Sequence, residues 1–467
     1  MLLAPDSGAR SARRRPDLGA RTAGAACALA LGLLFSAASA QAESLADSVA
    51  LAVTGHPQVR GAEAGFRASE RAVEVEAGAF LPSVEVSGDT GYQHATRGSD
   101  TEDEIDGDLW RKRYRGAVTQ LLFDGFATGN RVDAAESRSE ASLWELRGAA
   151  NEVALRAVEA HVAVVQGREL VEYARENVGL HQRIFGDVEE AARVGGGSNA
   201  DVSQVRTRRA FAESQLRRLE GDLINAQAAY REAVGALPAS LERPAVPAGQ
   251  LPASLEEALQ VAWKNDPQRR TAVAQSRAAG FTAEAASGTF FPRLDVELAH
   301  EGRDGVSGEP DFETDSTALL RLNWNLFNGG ADTAARRRAL EEENQARLQV
   351  YEIDRRLEQR LETAYTNYRV ATDQVELLRD RVATAENVTV AYREQFRLRQ
   401  RSILDLVDSG NELFVARVDL ARTELDQVLA AYEILTLIGL VLPSLDVGLE
   451  VQDVASAPEL SPVPARE

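Results

Sequence analysis

Residues 318–330 read ALLRLNWNLFNGG and mark the point at which a strand gives way to a helix. Apolar side chains at the even positions from Ala318 to Leu326 alternate with polar ones at 321, 323 and 325, which is the period-two pattern of a strand with two different faces. Asn328-Gly329-Gly330 ends the strand, and no proline follows between Ala331 and Leu398. At ~1.5 Å per residue, such a helix is roughly 95 Å long.

The long segment carries an apolar seam whose steps alternate between four and three residues, which is the heptad pattern of a coiled coil. A second segment with no proline and little glycine covers about 130–194, and a shorter seam runs from Phe414 to Leu435. The sequence therefore predicts antiparallel coiled-coil hairpins that turn at Val194–Ser198 and Leu398–Ser402. The long seam consists of Leu357, Leu361, Ala364, Tyr368, Ala371, Val375, Leu378, Val382 and Ala385.

The mature chain contains the same pattern twice. Phe80-Leu81-Pro82 matches Phe290-Phe291-Pro292 at a separation of 290 − 80 = 210 residues. Leu122-Phe123-Asp124-Gly125 matches Leu326-Phe327-Asn328-Gly329 at 326 − 122 = 204 residues. In each copy, the sequence pattern predicts one helix (about 44–80 in the first), two strands, a long helix and a shorter helix. Ordered matches that include proline and glycine indicate an internal duplication.

The first forty residues are typical of a secretory signal peptide. Several arginines precede an apolar run from Ala23 to Phe35, and Ala38-Ser39-Ala40 offers small residues for cleavage. Composition and repeats together predict five parts of the chain. They are a signal peptide at 1–40, a first repeat at 41–240, a linker at 241–253, a second repeat at 254–442 and a disordered C-terminal tail at 443–467.

Composition argues against several classes of function. The 52 Lys+Arg and 72 Asp+Glu residues give a net charge of −20, whereas nucleic-acid binding needs a basic surface. A single cysteine, Cys27, disfavours cysteine-based zinc sites, disulfide frameworks and thiol catalysis. The five histidines are scattered without metal-ligand spacing. We therefore predict no enzyme, no catalytic residue, no metal site, no cofactor and no nucleic-acid partner.

The strands permit two interpretations. Val84 and Val86 share one face and Glu85 and Ser87 the other. In a soluble sandwich the apolar face is core, whereas in an outer-membrane barrel it meets lipid and the polar face lines a lumen. Strands of about ten residues are long enough to cross a bilayer when tilted, and four strands make a poor core for helices of this length. The strand pattern alone does not separate the two.

Taken together, these features resemble the TolC family of outer-membrane channels. The likeness rests on the Phe-Leu-Pro and Phe-Phe-Pro strand entries, on the Asp-Gly and Asn-Gly-Gly strand exits and on the two hairpin turns, and it covers about 43–442. The resemblance implies a homotrimer in the outer membrane of a Gram-negative bacterium. Its fold would be mainly α with a β-barrel part, in which 3 × 4 = 12 transmembrane strands close a barrel above a coiled-coil helical tunnel through the periplasm.

The resemblance also implies a gate at the hairpin tips. Asp405 and Asp408 match the acidic positions around the periplasmic mouth, and Arg401 and Asp201 match partners in the network that closes it. Phe396 replaces a tyrosine usual in the family and so lacks its hydroxyl. Helix capping is the alternative role for Asp201 and Asp405. The tip residues expected to contact an adaptor are Val194, Gly195, Ser198, Arg399 (where relatives usually have glycine) and Ser402.

Two functions remain in view at this level. The channel would passively conduct exported cargo, either proteins by type I secretion or small molecules, from an inner-membrane transporter and a periplasmic adaptor protein. The alternative is a periplasmic coiled-coil adaptor or structural protein without a pore. That alternative accounts for the hairpins but leaves the strands, which suit contact with outer-membrane lipid, unexplained.

Overall fold

The computed structural model describes residues 42–97, 105–195, 198–306, 311–398 and 400–449, so the predicted signal peptide lies outside it. None of the helices in these ranges has the length and hydrophobicity needed to span a membrane. The same order of elements occurs twice. The first half comprises α1 (Leu45–Gly55), α2 (Pro57–Ala77), β1 (Ser83–Arg97), β2 (Ile105–Phe123), α3 (Ala127–Arg193) and α4 (Asn199–Val234). The second comprises α5 (Leu255–Asn265), α6 (Pro267–Ser287), β3 (Arg293–Asp304), β4 (Glu313–Asn323), α7 (Ala331–Arg397), α8 (Ile403–Leu437) and α9 (Val441–Ser444).

The N-terminal segment differs from the prediction of one helix over about 44–80. It forms two helices, because Pro57 has no N–H to continue α1 and instead occupies the first turn of α2. The His56 side chain caps α2 by accepting a hydrogen bond from the backbone N–H of Gln58 at 3.1 Å. The second half breaks in the same way at Pro267, where Asp266 is the cap.

The four strands form one antiparallel sheet in the order β1-β2-β3-β4. Val118 on β2 lies opposite both Val84 on β1 and Leu298 on β3, so residues of one face stay in register across the sheet. The β2–β3 pairing joins the two halves of the chain. Within the described residues, the outer edges of β1 and β4 have no hydrogen-bonded neighbour.

The helices form two antiparallel hairpins, as the heptad seams predict. α3 packs along α4, and α7 packs along α8. α8 also contacts α3, which joins the second hairpin to the first, and α6 lies between α3 and α7. Each long helix has 67 residues, or roughly 100 Å at the usual rise per residue. The hairpin tips are therefore far from the sheet.

The largest hydrophobic cluster lies where α1 and α5 pack against the long helices, and it includes Leu361, Ile434 and Leu435, all fully buried. Parts of the chain that the sequence assigned to the linker and the tail pack here too. Leu241 and Leu251 from the linker contact the cluster, as do Leu445, Val447 and Leu449 from the start of the predicted tail. Residues 450–467 of that tail lie outside the described ranges.

A buried polar network ties the N-terminal segment to this cluster. His161 Nε2 donates to the backbone carbonyl of Glu242 at 2.8 Å, and its Nδ1 is 2.9 Å from Ser48 Oγ. The Tyr230 hydroxyl donates to Glu43 Oε1 at 2.6 Å. The two groups bonded to the His161 ring, a hydroxyl and a backbone carbonyl, are both uncharged. The Glu43 carboxylate is separated from the ring by one side chain. These surroundings suit a neutral imidazole that is packed in the core.

Acidification is expected to weaken the fold through His161. Burial lowers the pKa of its imidazole from the ordinary 6.5, so the unfolded chain binds a proton that the folded chain does not. The contribution of His161 to the free energy of unfolding is then fully present above pH 6.5 and is lost as the pH drops toward the folded pKa. Urea unfolding of the detergent-solubilised protein between pH 8 and 5 measures the slope, and His161→Gln should flatten it. An equal slope in the variant contradicts this assignment.

Candidate functional site

The sheet has its apolar face outside. Val86 and Leu320 are 81% and 65% exposed, whereas Asp295 and Glu297 on the other face are only 7% and 8% exposed. A soluble sandwich requires the apolar face to be covered, and nothing in the described chain covers it. The structure therefore favours the lipid-facing interpretation of the strand pattern.

Ion pairs cross-link the polar face. Glu297 on β3 binds Arg115 on β2 and Arg321 on β4, the latter at 2.8 Å. Between β1 and β2, Asp89 pairs with Arg113 at 2.8 Å and with Arg111 at 2.9 Å. Each carboxylate is thus shared by two guanidinium groups, so a face rich in charge is internally compensated.

Aromatic side chains lie at both ends of the apolar face. At the end near the helices, Phe123 packs edge-on against Phe291 with the ring centroids 6.5 Å apart. Toward the other end, Tyr92 on β1 lies opposite Trp110 on β2, and both are exposed. Eight residues separate Val84 from Tyr92, which is roughly 26 Å along a strand. A strand tilted by about 40° covers roughly 20 Å of that distance along the membrane normal, which fits within the ~25 Å apolar band of membrane barrels.

The two hairpin tips are built alike. Ser198 caps α4 and forms a capping box with Asp201, whose carboxylate accepts from the backbone N–H of Ser198 at 3.4 Å. Ser198 Oγ also accepts from the backbone N–H of Ala200 at 3.0 Å. Ser402 begins α8, and its Oγ accepts from the backbone N–H of Asp405 at 3.2 Å. The cap of α8 is thus Ser402, and the Asp405 carboxylate is available for other partners.

The two acidic residues predicted at the mouth have different partners. Asp405 is 3.7 Å from the Arg401 guanidinium, one turn away on the same hairpin. The Arg401 guanidinium also lies 4.0 Å above the ring of Tyr392. Asp408 instead pairs with Arg208 on α4 of the other hairpin, at 3.2 Å.

The remaining predicted residues divide between packing and exposure. Phe396 packs against a hydrophobic cluster at the tips, formed by Ile184, Val188, Val205, Leu406 and Val407. Among the described contacts, Asp201 binds its own cap and not Arg401. Val194 is exposed, and Gly195 takes a left-handed φ of 79° that ends α3. Arg399 lies outside the described residues.

Arg208, Tyr392 and His181 also lie at this site, although the sequence pattern did not predict them there. Arg208 lies two turns after Asp201 on α4, among three other arginines between 206 and 217. The charge pattern along α4 does not show which of these arginines reaches the second hairpin. His181 is buried on α3, close enough to Arg208 and Asp408 to feel both charges.

Comparison with known proteins gives a consistent picture. The chain is 27% identical over 421 residues to the outer membrane efflux protein BepC of Brucella suis biovar 1, covering 89% of each chain. The fold is similar to that of VceC from Vibrio cholerae, with a TM-score of 0.73, 14% identity and coverage of 87% of this chain and 97% of that chain. CmeC of Campylobacter jejuni has a TM-score of 0.72 at 12% identity, with 85% and 86% coverage.

The family comparison extends over most of the chain. The sequence model of the outer membrane efflux protein family matches residues 49–236 and 258–440, which include both hairpins and all four strands. This confirms the resemblance on which the channel prediction rests, and it gives no support to the adaptor or structural alternative. The chain is therefore a member of the outer membrane efflux protein family.

Proposed function

We propose that three copies of this chain assemble into a channel that crosses the outer membrane and extends into the periplasm. The observation that carries the proposal is the uncovered apolar face of the sheet. Its strands have 11 to 19 residues, and a tilted strand needs about 9–11 residues to cross a bilayer. Four strands with two open edges need further strands to close a barrel, and three copies supply twelve. The channel would pass exported proteins or small molecules received from an inner-membrane transporter and a periplasmic adaptor.

Equivalent positions in the two halves support the assembly. Ala274 and Ala278 on α6 are buried, because α6 lies between α3 and α7. Their counterparts 210 residues earlier, Ala64 and Ala68 on α2, are exposed. α2 packs on α3 but has no second long helix beside it in the described chain. We infer that the missing neighbour is α7 of another copy.

The hairpins show the same asymmetry. Val428 on α8 is 3% exposed, whereas its counterpart Ile224 on α4 is 65% exposed. Of the 67 residues in each long helix, 25 are buried in α3 and 7 in α7. Large apolar residues left in water at positions whose equivalents are packed indicate an interface. In the proposed assembly, α4 packs on α7 of the adjacent copy, as α8 packs on α3 within one chain.

The sheet suggests how the copies join. Gly125, at the end of β2, has φ of 68° and no room for a side chain, since a Cβ there would lie 2.6 Å from that of Phe291. Its counterpart Gly329, at the end of β4, has φ of 71° but nothing within 4 Å. We propose that Gly329 meets Leu81 of the next copy, the counterpart of Phe291. β4 of one copy would then pair with β1 of the next.

A cysteine pair tests this arrangement. A Cβ at Gly148 would lie 3.4 Å from the Cβ of Pro267 within one chain, a separation compatible with a disulfide. The corresponding positions between copies are 267 − 210 = 57 and 148 + 204 = 352. The variant Pro57→Cys/Glu352→Cys, with Cys27→Ser, is expected to form disulfide-linked oligomers up to a trimer in outer-membrane fractions.

The controls are direct. Each single cysteine should leave the protein uncross-linked on a non-reducing gel, as should Pro57→Cys/Glu358→Cys, because position 358 lies about 9 Å farther along α7 and on another face. Purified protein should also produce discrete conductance steps in planar bilayers. A non-conducting monomer that stays soluble without detergent would overturn the proposal in favour of the adaptor or structural alternative.

A further inference from the structure

Each predicted mouth carboxylate has a guanidinium partner, but the two partners differ in origin. Arg401 precedes Asp405 by one turn, so that pair lies within one hairpin. Arg208 reaches Asp408 from the first hairpin, 3.2 Å across the junction of α4 and α8. With both arginines in place, the four side chains together carry no net charge. The predicted mouth is therefore less acidic than its two aspartates alone suggest.

The neighbouring basic groups do not substitute for Arg208. Arg206 and Arg209 lie on other faces of α4, with their guanidinium groups 5.7 Å and 4.5 Å from the ring of Phe185. His181 faces the same junction, but burial and the proximity of Arg208 lower its pKa, which favours the uncharged imidazole. Among the described residues, Arg208 alone forms an ion pair with Asp408.

We propose that Arg208 sets the charge selectivity of the periplasmic mouth by compensating Asp408. This inference rests on the proposed channel function and on the predicted position of Asp408 at the periplasmic mouth. Both side chains are about half exposed, so the pair adds little to stability. Its effect is electrostatic, because removing one positive charge per copy leaves three uncompensated carboxylates around the constriction of a trimer. A ring of carboxylates attracts cations and repels anions.

Reversal potentials in a KCl gradient across planar bilayers test the proposal with the full-length protein. Arg208→Gln removes the charge and is expected to raise the cation-to-anion permeability ratio about threefold at 0.1 M salt. Arg208→Lys keeps the charge and should resemble the wild type. Asp408→Asn should shift the ratio in the opposite direction, and the double variant Arg208→Gln/Asp408→Asn should return it close to the wild-type value.

Arg218→Gln is the matched control. Arg218 is an exposed arginine on the same helix, about 15 Å farther from the tip than Arg208. That distance exceeds the Debye length of about 10 Å at 0.1 M salt, so this variant should leave the ratio unchanged. A conducting Arg208→Gln channel with wild-type selectivity, or an equal shift in Arg218→Gln, overturns the inference alone. If the wild-type protein does not conduct and the 57–352 cysteine pair does not cross-link, the proposed channel function itself is wrong.

Discussion

Replacing Leu320 with arginine is expected to prevent the sheet from inserting into membranes. Leu320 lies in β4, three residues before the strand ends, and its side chain is exposed on the apolar face. If that face meets lipid, a charged side chain there costs up to about 2–4 kcal/mol in each copy, with the largest cost at mid-membrane depth. Three copies in one barrel multiply the effect. Folding into vesicles, followed by the heat-modifiable shift of the oligomer on gels, measures the loss.

The same strand provides a control one residue away. Leu319 is also exposed, but it points to the opposite face and lies directly across from Glu297. An arginine at 319 would enter the polar face, where guanidinium groups already pair with that carboxylate. Leu319→Arg should therefore insert nearly as well as the wild type. Normal insertion of Leu320→Arg would show that the apolar face does not contact lipid.

Truncating Leu435 to alanine should cause a comparably large loss of stability. Leu435 on α8 is fully buried in the largest hydrophobic cluster. Replacing a buried leucine by alanine typically lowers the free energy of unfolding by about 2–5 kcal/mol, because buried methyl groups are removed and a cavity remains. The midpoint of urea unfolding measured by helix circular dichroism should fall accordingly.

Leu51→Ala is the matched control, since Leu51 lies on α1 near the same cluster but is nearly half exposed. This variant should lose no more than about 1 kcal/mol of stability. If both variants unfold at the same denaturant concentration, this cluster does not hold the short helices to the hairpins. The stability of the long helices would then come from the seam between them.

The sequence determined the main elements because they depend on local patterns. Period-two alternation placed the strands, and the absence of proline after Ala331 placed a long helix where α7 occurs. The heptad seams predicted the pairing of α3 with α4 and of α7 with α8. One local signal was misjudged, because Pro57 begins a second helix after α1 where one continuous helix was predicted.

The tertiary structure decided what no local pattern contains. Alternation shows that a strand has two faces, but only the packed chain shows that Leu320 is uncovered and that Glu297 is enclosed. Likewise, α4 carries several arginines, and only the packing of α4 against α8 brings Arg208 to Asp408. The period of a helix or strand determines the face on which each of its side chains lies. Its partner depends on which distant helix or strand packs against that face, and that is set by the hydrophobic contacts of the whole fold.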